Sequence, residues 1–281
     1  MKEKVGVLYI CTGPYSILWK QFYDSMNHNL MPETDKTFYV FTDAERIYKE
    51  EEPNVVRIYI DSQPWPLITL LRFYIFLRIE DMLMQNDYLL FCNANLTCRR
   101  EISFCEILPQ NDDRFFFTIH PGFSGTKKPR LYPYERRSSS TAYIPYNCGS
   151  HYVIGAFYGG RTKDFLEMCH ILSDNINRDL NRNIIAIWHD ESHINKFIIN
   201  RKDVRLLSPS YCYHPFEHLI GSEDVISIID KSTVFDVNEF KGVEVINRKT
   251  ASYQKERILK RLRRVSSLCE YFLDTVLNKQ V

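Results

Sequence analysis

The chain lacks a surplus of charge of either sign. Its 281 residues carry 36 Lys and Arg against 35 Asp and Glu, a formal net charge of +1. That balance excludes nucleic-acid binding by bulk charge. It also lacks any apolar run approaching the roughly 20 residues that cross a bilayer. Nothing in its opening reads as a secretory leader: after Met1-Lys2-Glu3-Lys4 the apolar run 5–10 ends in Thr12-Gly13-Pro14. Among its 8 Cys there is no CxxC pair, which removes the usual redox and zinc-ribbon spacings. An even count permits disulfides, but a chain of this length does not need them. Several of these cysteines sit in apolar runs, where a free thiol behaves as a small hydrophobe. Together these absences lead to the expectation of a cytoplasmic protein in a reducing compartment. Asn95-Leu96-Thr97 is formally a glycosylation sequon and carries no weight without a leader. There is no internal repeat and no low-complexity linker.

What is present suffices for a folded enzyme-sized domain. At 44% hydrophobic the chain can bury a full core. Apolar runs rich in β-formers at 5–10, 36–43, 55–60 and 88–92 read as strands. Helical patterns separate them at 15–26 and 67–84. Such alternation predicts an α/β domain with a mainly parallel sheet flanked by helices. Further strands are expected at 114–120, 152–158 (bounded by Gly159-Gly160) and 204–207, with helices at 162–175 and 191–199 and a long loop from Pro121 to about Ser140. Ligands of such sheets bind beyond the carboxyl ends of the strands. Thr12, Asp43 and Asn93 are therefore candidates.

The charge is unevenly spread. From Lys241 to Arg264 basic residues are opposed only by Glu244 and Glu256. Over 255–277 a helical pattern puts Ile258, Leu262, Val265, Cys269, Phe272 and Val276 on one face. This divides the chain into a domain at 1–240 and a basic C-terminal segment at 241–281. The amphipathic helix suits packing or self-association, with attachment to a membrane surface as the alternative. Cations near Lys231 and from Arg248 onward could neutralise a phosphate.

Two motifs could carry chemistry. Trp188-His189-Asp190-Glu191-Ser192-His193 sets two carboxylates and two imidazoles beside an indole. The i, i+4 spacing of His189 and His193 suits zinc, but Asp190 stands where the zincin pattern requires Glu. The segment reads equally as a helix start, Asp190 capping and Glu191 complementing the helix dipole. Asn93-Ala94-Asn95 follows a buried strand. Two Asp there could hold a divalent cation against a diphosphate; Asn is a neutral, poorer ligand, and Asn also favours a simple turn. His120, before Pro121-Gly122-Phe123, suits a structural hydrogen bond at a strand end as well as a ligand contact.

Several stretches stand in a telling order: Phe38-Tyr39-Val40-Phe41-Thr42-Asp43, Tyr88-Leu89-Leu90-Phe91 with Asn93-Ala94-Asn95, His120-Pro121-Gly122-Phe123, Tyr134-Glu135-Arg136-Arg137, Ala142-Tyr143-Ile144-Pro145, the Trp188–His193 segment and Leu207-Ser208-Pro209. Over roughly 5–235 the chain resembles glycosyltransferase family 6, the family of the histo-blood-group A and B transferases and the α-1,3-galactosyltransferases. The resemblance implies a GT-A fold and transfer of galactose or N-acetylgalactosamine from a UDP-sugar to a galactose 3-hydroxyl, with retention of the α configuration. It implies Glu191 as the catalytic carboxylate and Asp190 with Arg72 as the pair holding the donor sugar. It sets Tyr15 near uracil, with Ile10, Cys11 and Thr12 at the same strand end, and Lys231 at the diphosphate. Asn93, Ala94 and Asn95 complete the donor side, with Ile154, Gly155 and Ala156 as the donor-binding residues of the donor-selecting segment Tyr152-Val153-Ile154-Gly155-Ala156. His120, Trp188, Tyr211 and His214 are implied on the acceptor side.

The chain departs from the family pattern in three places. Asn93-Ala94-Asn95 replaces the Asp-x-Asp of animal members, which leads to the expectation of an enzyme that needs no metal, with Lys231 and nearby cations facing the diphosphate. Ile154 with Ala156 matches neither the Leu and Gly of A-type enzymes nor the Met and Ala of B-type enzymes; the reading taken is an enzyme using UDP-GalNAc, with an α-1,3-galactosyltransferase using UDP-Gal, or a catalytically weak sugar-binding relative, as the alternatives. Tyr213-His214 stands where Trp-Asp is usual near the acceptor. The acceptor so implied is a fucosylated galactoside. Glu191 could attack covalently, or stabilise charge while the acceptor enters from the leaving-group face.

Overall fold

In the computed structural model, which describes residues 2–124, 128–214 and 223–236, the alternating apolar runs pair as expected. The elements are β1 (Lys4–Ile10), α1 (Trp19–Asn29), β2 (Asp35–Thr42), β3 (Val55–Tyr59), α2 (Leu67–Leu70), α3 (Arg72–Leu77), α4 (Glu80–Leu83), β4 (Tyr88–Cys92), β5 (Leu96–Cys98), α5 (Phe104–Ile107), β6 (Phe115–Ile119), β7 (Val153–Arg161), α6 (Thr162–Leu180), α7 (His189–Ile198), β8 (Val204–Leu207) and β9 (Ile226–Ile228). A seven-stranded sheet runs in the order β3-β2-β1-β4-β7-β6-β8, and β5 with β9 makes a second, two-stranded sheet. In the large sheet only β7 runs against its neighbours β4 and β6; the other pairs are parallel. This mixed, mostly parallel sheet flanked by helices has the GT-A-like layout.

Alternation along β1 shows why the sheet is covered on both faces. Val5, Val7 and Tyr9 join Trp19, Phe22 and Met26 of α1 in one core. Leu8 points into the other, among Phe73 and Phe76 of α3 and Phe165 and Met168 of α6. Both faces being apolar, the strand reads as a continuous hydrophobic run. The seven cysteines among the described residues are free, and five of them are buried. Among the described residues no helix is long and apolar enough to cross a membrane. These residues, except Asp236, fall in one compact unit, Met1–Phe235. The boundary at 240, the basic segment and its amphipathic helix lie outside the described residues.

Four expectations are corrected in detail. The helix read over 67–84 is three short pieces, broken at Leu71 (φ −83°, ψ 2°) and around Ile79 (φ −124°, ψ 29°). No Gly or Pro marks the breaks; Arg72, held by tertiary partners described below, follows the first. The helix expected at 15–26 begins as a 3-10 turn, Gly13–Leu18. Gly159 and Gly160 lie inside β7 rather than ending it. A Cβ at Gly159 would stand 2.5 Å from the Leu89 carbonyl, and one at Gly160 would stand 2.6 Å from that of Arg114. Both neighbouring strands thus approach too closely for any larger residue. Finally, α7 starts at His189, with Trp188 at its N-cap.

Because β7 is antiparallel, its beginning overhangs the carboxyl end of β4. Cys92 pairs with Phe157, and the Asn93 N–H donates to the Ala156 carbonyl at 2.8 Å. One sheet edge therefore gathers the ends of β1 and β4 with residues 153–156.

Candidate active site

Glu191 and Asp190 lie in the first turn of α7, packed against this edge. Asp190 is not the cap of the helix, a place taken by Trp188. Its carboxylate pairs instead with Arg72 at 3.0 Å, both side chains buried. The same guanidinium donates to the Gly155 carbonyl at 2.8 Å and lies over the Phe91 ring, 4.1 Å from its centroid. Glu191 accepts from the Tyr152 hydroxyl at 2.6 Å on Oε1 and from the Gly155 N–H at 2.8 Å on Oε2. Gly155 thus touches both halves of the acidic pair. A Cβ there would meet Glu191 Cβ at 3.3 Å and Asp190 Oδ2 at 3.4 Å. Asn195, one turn on, accepts from the Val153 N–H at 3.0 Å and donates to the carbonyls of Val153 and Glu191, both at 2.9 Å.

Burial sets the electrostatics. It pushes the Glu191 carboxyl up to about 7, against the two donors that favour its charged form. It pushes Asp190 up to about 6, with Arg72 opposing. His189 is held at φ 52°, a left-handed conformation that costs a non-glycine residue about 1–2 kcal/mol. Strain of this kind gathers at functional sites. That turn leaves the Trp188 side chain half exposed, while its N–H donates to Ser192 Oγ at 3.0 Å.

Two residues expected on the donor side, from opposite ends of the chain, meet each other. Lys231 Nζ lies 3.5 Å from the Tyr15 hydroxyl and 5.2 Å from the centre of its ring. Ile10, Cys11 and Thr12 lead from β1 toward Tyr15. The Cys11 carbonyl accepts from Thr42 at 2.6 Å, and Asp43 accepts from the Gly13 N–H at 2.9 Å. Asn93 donates to Asn95 Oδ1 at 3.0 Å, and Asn95 donates to the Ile229 carbonyl at 2.7 Å. Asn95 also uses its own carbonyl to accept the Ile229 N–H at 2.8 Å. The flanking Ala94 carbonyl accepts from the Tyr9 hydroxyl at 3.1 Å. This donor set suits a divalent cation poorly: both amides are neutral, and the Asn95 side-chain oxygen already accepts from Asn93. Among the described residues no group of three or more His, Cys, Asp or Glu is arranged to hold a metal.

Of the residues expected on the acceptor side, His120 packs 5.7 Å from the Tyr152 ring. Its Nδ1 accepts from the Gly122 N–H at 3.0 Å, so the structural hydrogen bond weighed above is present. Burial, and then His214, hold the imidazole down at about 4. Tyr211 donates to Glu106 at 3.4 Å, and no hydrogen bond among the described residues ties it to Glu191 or Trp188. Four residues to which the sequence assigned no role of their own hold this arrangement or its surroundings: Tyr152, Asn195, Glu135 and Arg136. Buried Glu135 accepts from the Ile187 N–H at 2.8 Å and from Arg137 at 2.6 Å, holding the approach to Trp188. Arg136 donates to the carbonyls of Ile144, Pro145 and Pro129 at 2.6–2.8 Å, organising the long loop. The i+4 position of Asn195 could have flagged it.

A profile of glycosyltransferase family 6 matches residues 1–238. The chain belongs to glycosyltransferase family 6. The O-antigen biosynthesis glycosyltransferase WbnI of Escherichia coli is 38% identical over 209 residues, 74% of this chain and 87% of WbnI. The rat histo-blood group ABO system transferase 2 is 27% identical, over 77% of this chain and 65% of its own length. The chicken globoside alpha-1,3-N-acetylgalactosaminyltransferase 1 is 31% identical, over 74% of this chain and 61% of its own. The chain thus spans less than two thirds of these two animal relatives. As a family 6 member it is a glycosyltransferase that takes a nucleotide-sugar donor and a glycan acceptor.

Proposed function

We propose that this family 6 enzyme transfers N-acetylgalactosamine from UDP-GalNAc to the galactose 3-hydroxyl of a fucosylated acceptor, in α linkage, with retention and without a metal. The observation that carries this reading is the convergence on Gly155. Its N–H holds Glu191 and its carbonyl holds Arg72, which pairs with Asp190. The donor-selecting segment and the carboxylates therefore form one unit. In that unit Glu191 faces the anomeric carbon and stabilises the oxocarbenium character that builds as the bond to the diphosphate breaks. Asp190 and Arg72 hold the sugar hydroxyls. Lys231, beside Tyr15, meets the diphosphate, where exclusion of water strengthens each charge.

The α-1,3 linkage and the GalNAc donor draw support from the chicken relative, whose name states both. A second donor, UDP-Gal, is favoured by Ala156, a larger residue than the Gly of A-type enzymes at the position facing an acetamido group. Metal independence draws support from the engagement of Asn93 and Asn95. One experiment tests the whole: product analysis with UDP-GalNAc and UDP-Gal against fucosylated and plain lactose, with EDTA present. Transfer from UDP-GalNAc to the fucosylated sugar is expected. Turnover abolished by EDTA and restored by Mn²⁺ would sink the metal-independent reading, and transfer unchanged in Glu191→Gln would sink the role of Glu191.

A further inference from the structure

Tyr152 is buried, and a buried phenol needs a hydrogen-bond partner. Its acceptor is Glu191 Oε1, at 2.6 Å. The phenol is held there from behind. Its ring packs 5.6 Å from Tyr134 and 5.2 Å from Phe123. Tyr132 donates to the Ser150 carbonyl at 2.9 Å and Tyr134 donates to that of His151, so the two residues before Tyr152 are fixed as well. On its other side Asn195 grips both backbone groups of Val153 and the Glu191 carbonyl. Phenol and carboxylate therefore belong to one rigid assembly.

The hydrogen-bond directions matter. Tyr152 O–H and Gly155 N–H are both donors, one to each oxygen of Glu191. An ionised carboxylate accepts both. Each donor therefore favours the charged form, against the burial that opposes it. Two lone-pair positions remain for the reacting sugar. We propose that Tyr152 is a positioning residue for the transfer reaction, holding Glu191 in one rotamer and in its ionised form. The inference rests on Glu191 being the catalytic carboxylate. The other charged or titratable groups facing Glu191 are Arg72 of α3, Asp190 of its own helix and Cys212, in the 3-10 turn Pro209–Cys212. None of these is altered by removing the Tyr152 hydroxyl.

The test is the pH profile of kcat for wild type, Tyr152→Phe and Glu191→Gln. With a hydrogen bond to a charged group lost, Tyr152→Phe lowers kcat at pH 7 by about ten- to a hundredfold. Its acid limb moves to higher pH, so the defect shrinks between pH 7 and pH 9. A purely structural role gives the same loss at every pH with an unmoved limb, and that result, or no loss, overturns the proposal. If Tyr152→Phe does not fold, difluorotyrosine at position 152 decides: the same shape with a stronger donor moves the acid limb to lower pH, and an unmoved limb overturns the proposal. Transfer retained in Glu191→Gln instead removes the reading beneath it, whatever Tyr152→Phe does.

Discussion

Arg72 and Asp190 form a 3.0 Å ion pair with both side chains buried, and the arginine also reaches the Gly155 carbonyl. Breaking a buried pair from one side leaves a charge without compensation. Arg72→Ala is expected to destabilise the fold by about 3–5 kcal/mol at pH 8. Urea unfolding at pH 5 should show a smaller loss, because Asp190, already pushed up to about 6 by burial, is then protonated. The double variant Arg72→Met with Asp190→Asn should regain much of the stability and none of the transfer. Recovery of transfer by the double variant would show that the pair serves only the fold.

In its proposed role Glu191 makes opposite demands on pH in folding and in catalysis. Its folded value, about 7, stands above the ordinary 4.5 because burial penalises the charge. Between those values the folded state binds more protons than the unfolded one, so this group destabilises the fold as pH rises through the window. The stability of Glu191→Gln relative to wild type should therefore grow from pH 4.5 to about pH 8, by about 1–3 kcal/mol. Constant hydrogen-bond losses in the variant cancel from that slope. Wild-type turnover should instead fall as pH drops through about 7. A flat stability difference across the window would mean that Glu191 is not buried enough to titrate abnormally.

Much of this site was legible because chemistry and local pattern coincide. The apolar run 5–10 alternates between two cores, and its parallel partners follow from alternation with helices. Asp190, Glu191, Arg72, Lys231 and Tyr15 came from ordered resemblance, and the structure does join Arg72 to Asp190 and Lys231 to Tyr15. Periodicity could not reveal the breaks around Arg72, since 67–79 is apolar on nearly every side and its kinks are set by tertiary partners. Nor could it separate Tyr152 from the other 17 Tyr of the chain; its role comes from where β7 begins relative to α7. The antiparallel course of β7, which brings Gly155 to the carboxylates, depends on glycines that locally read as a strand end.

Asn95 spans a join that an acid could not make. Its amide donates to the Ile229 carbonyl while its own carbonyl accepts the Ile229 N–H. This tethers β9, and with it the chain leading to Lys231. Asn95→Asp would set a carboxylate oxygen against a carbonyl oxygen in a buried position. We expect a loss of about 1–3 kcal/mol in stability and weaker UDP binding as Lys231 loses its anchor. Calorimetric titration with UDP, with and without Mn²⁺, checks this. Tighter UDP binding in the presence of Mn²⁺ would instead mean that the carboxylate had become a metal ligand.

The approach to Trp188 depends on Glu135, far from the carboxylates in sequence. It accepts from the Ile187 N–H at 2.8 Å and from the Arg137 side chain, and Arg137 donates in turn to the Ile185 carbonyl at 2.5 Å. The backbone at 185–187 is therefore clamped on both its donor and acceptor sides, immediately before the half-exposed indole. Glu135→Ala leaves the Ile187 N–H and Arg137 without this partner, at a cost of about 2–4 kcal/mol in stability. If Trp188 meets the acceptor, the loosened turn should raise the acceptor KM about tenfold or more, since small misplacements are costly. The donor KM should stay near wild type, because Gly155, Asp190 and Arg72 keep their contacts. Steady-state kinetics with each substrate varied in turn separates the outcomes. An equal rise in both KM values would mean that Glu135 supports the whole of α7, and a rise in the donor KM alone would move Trp188 out of the acceptor site.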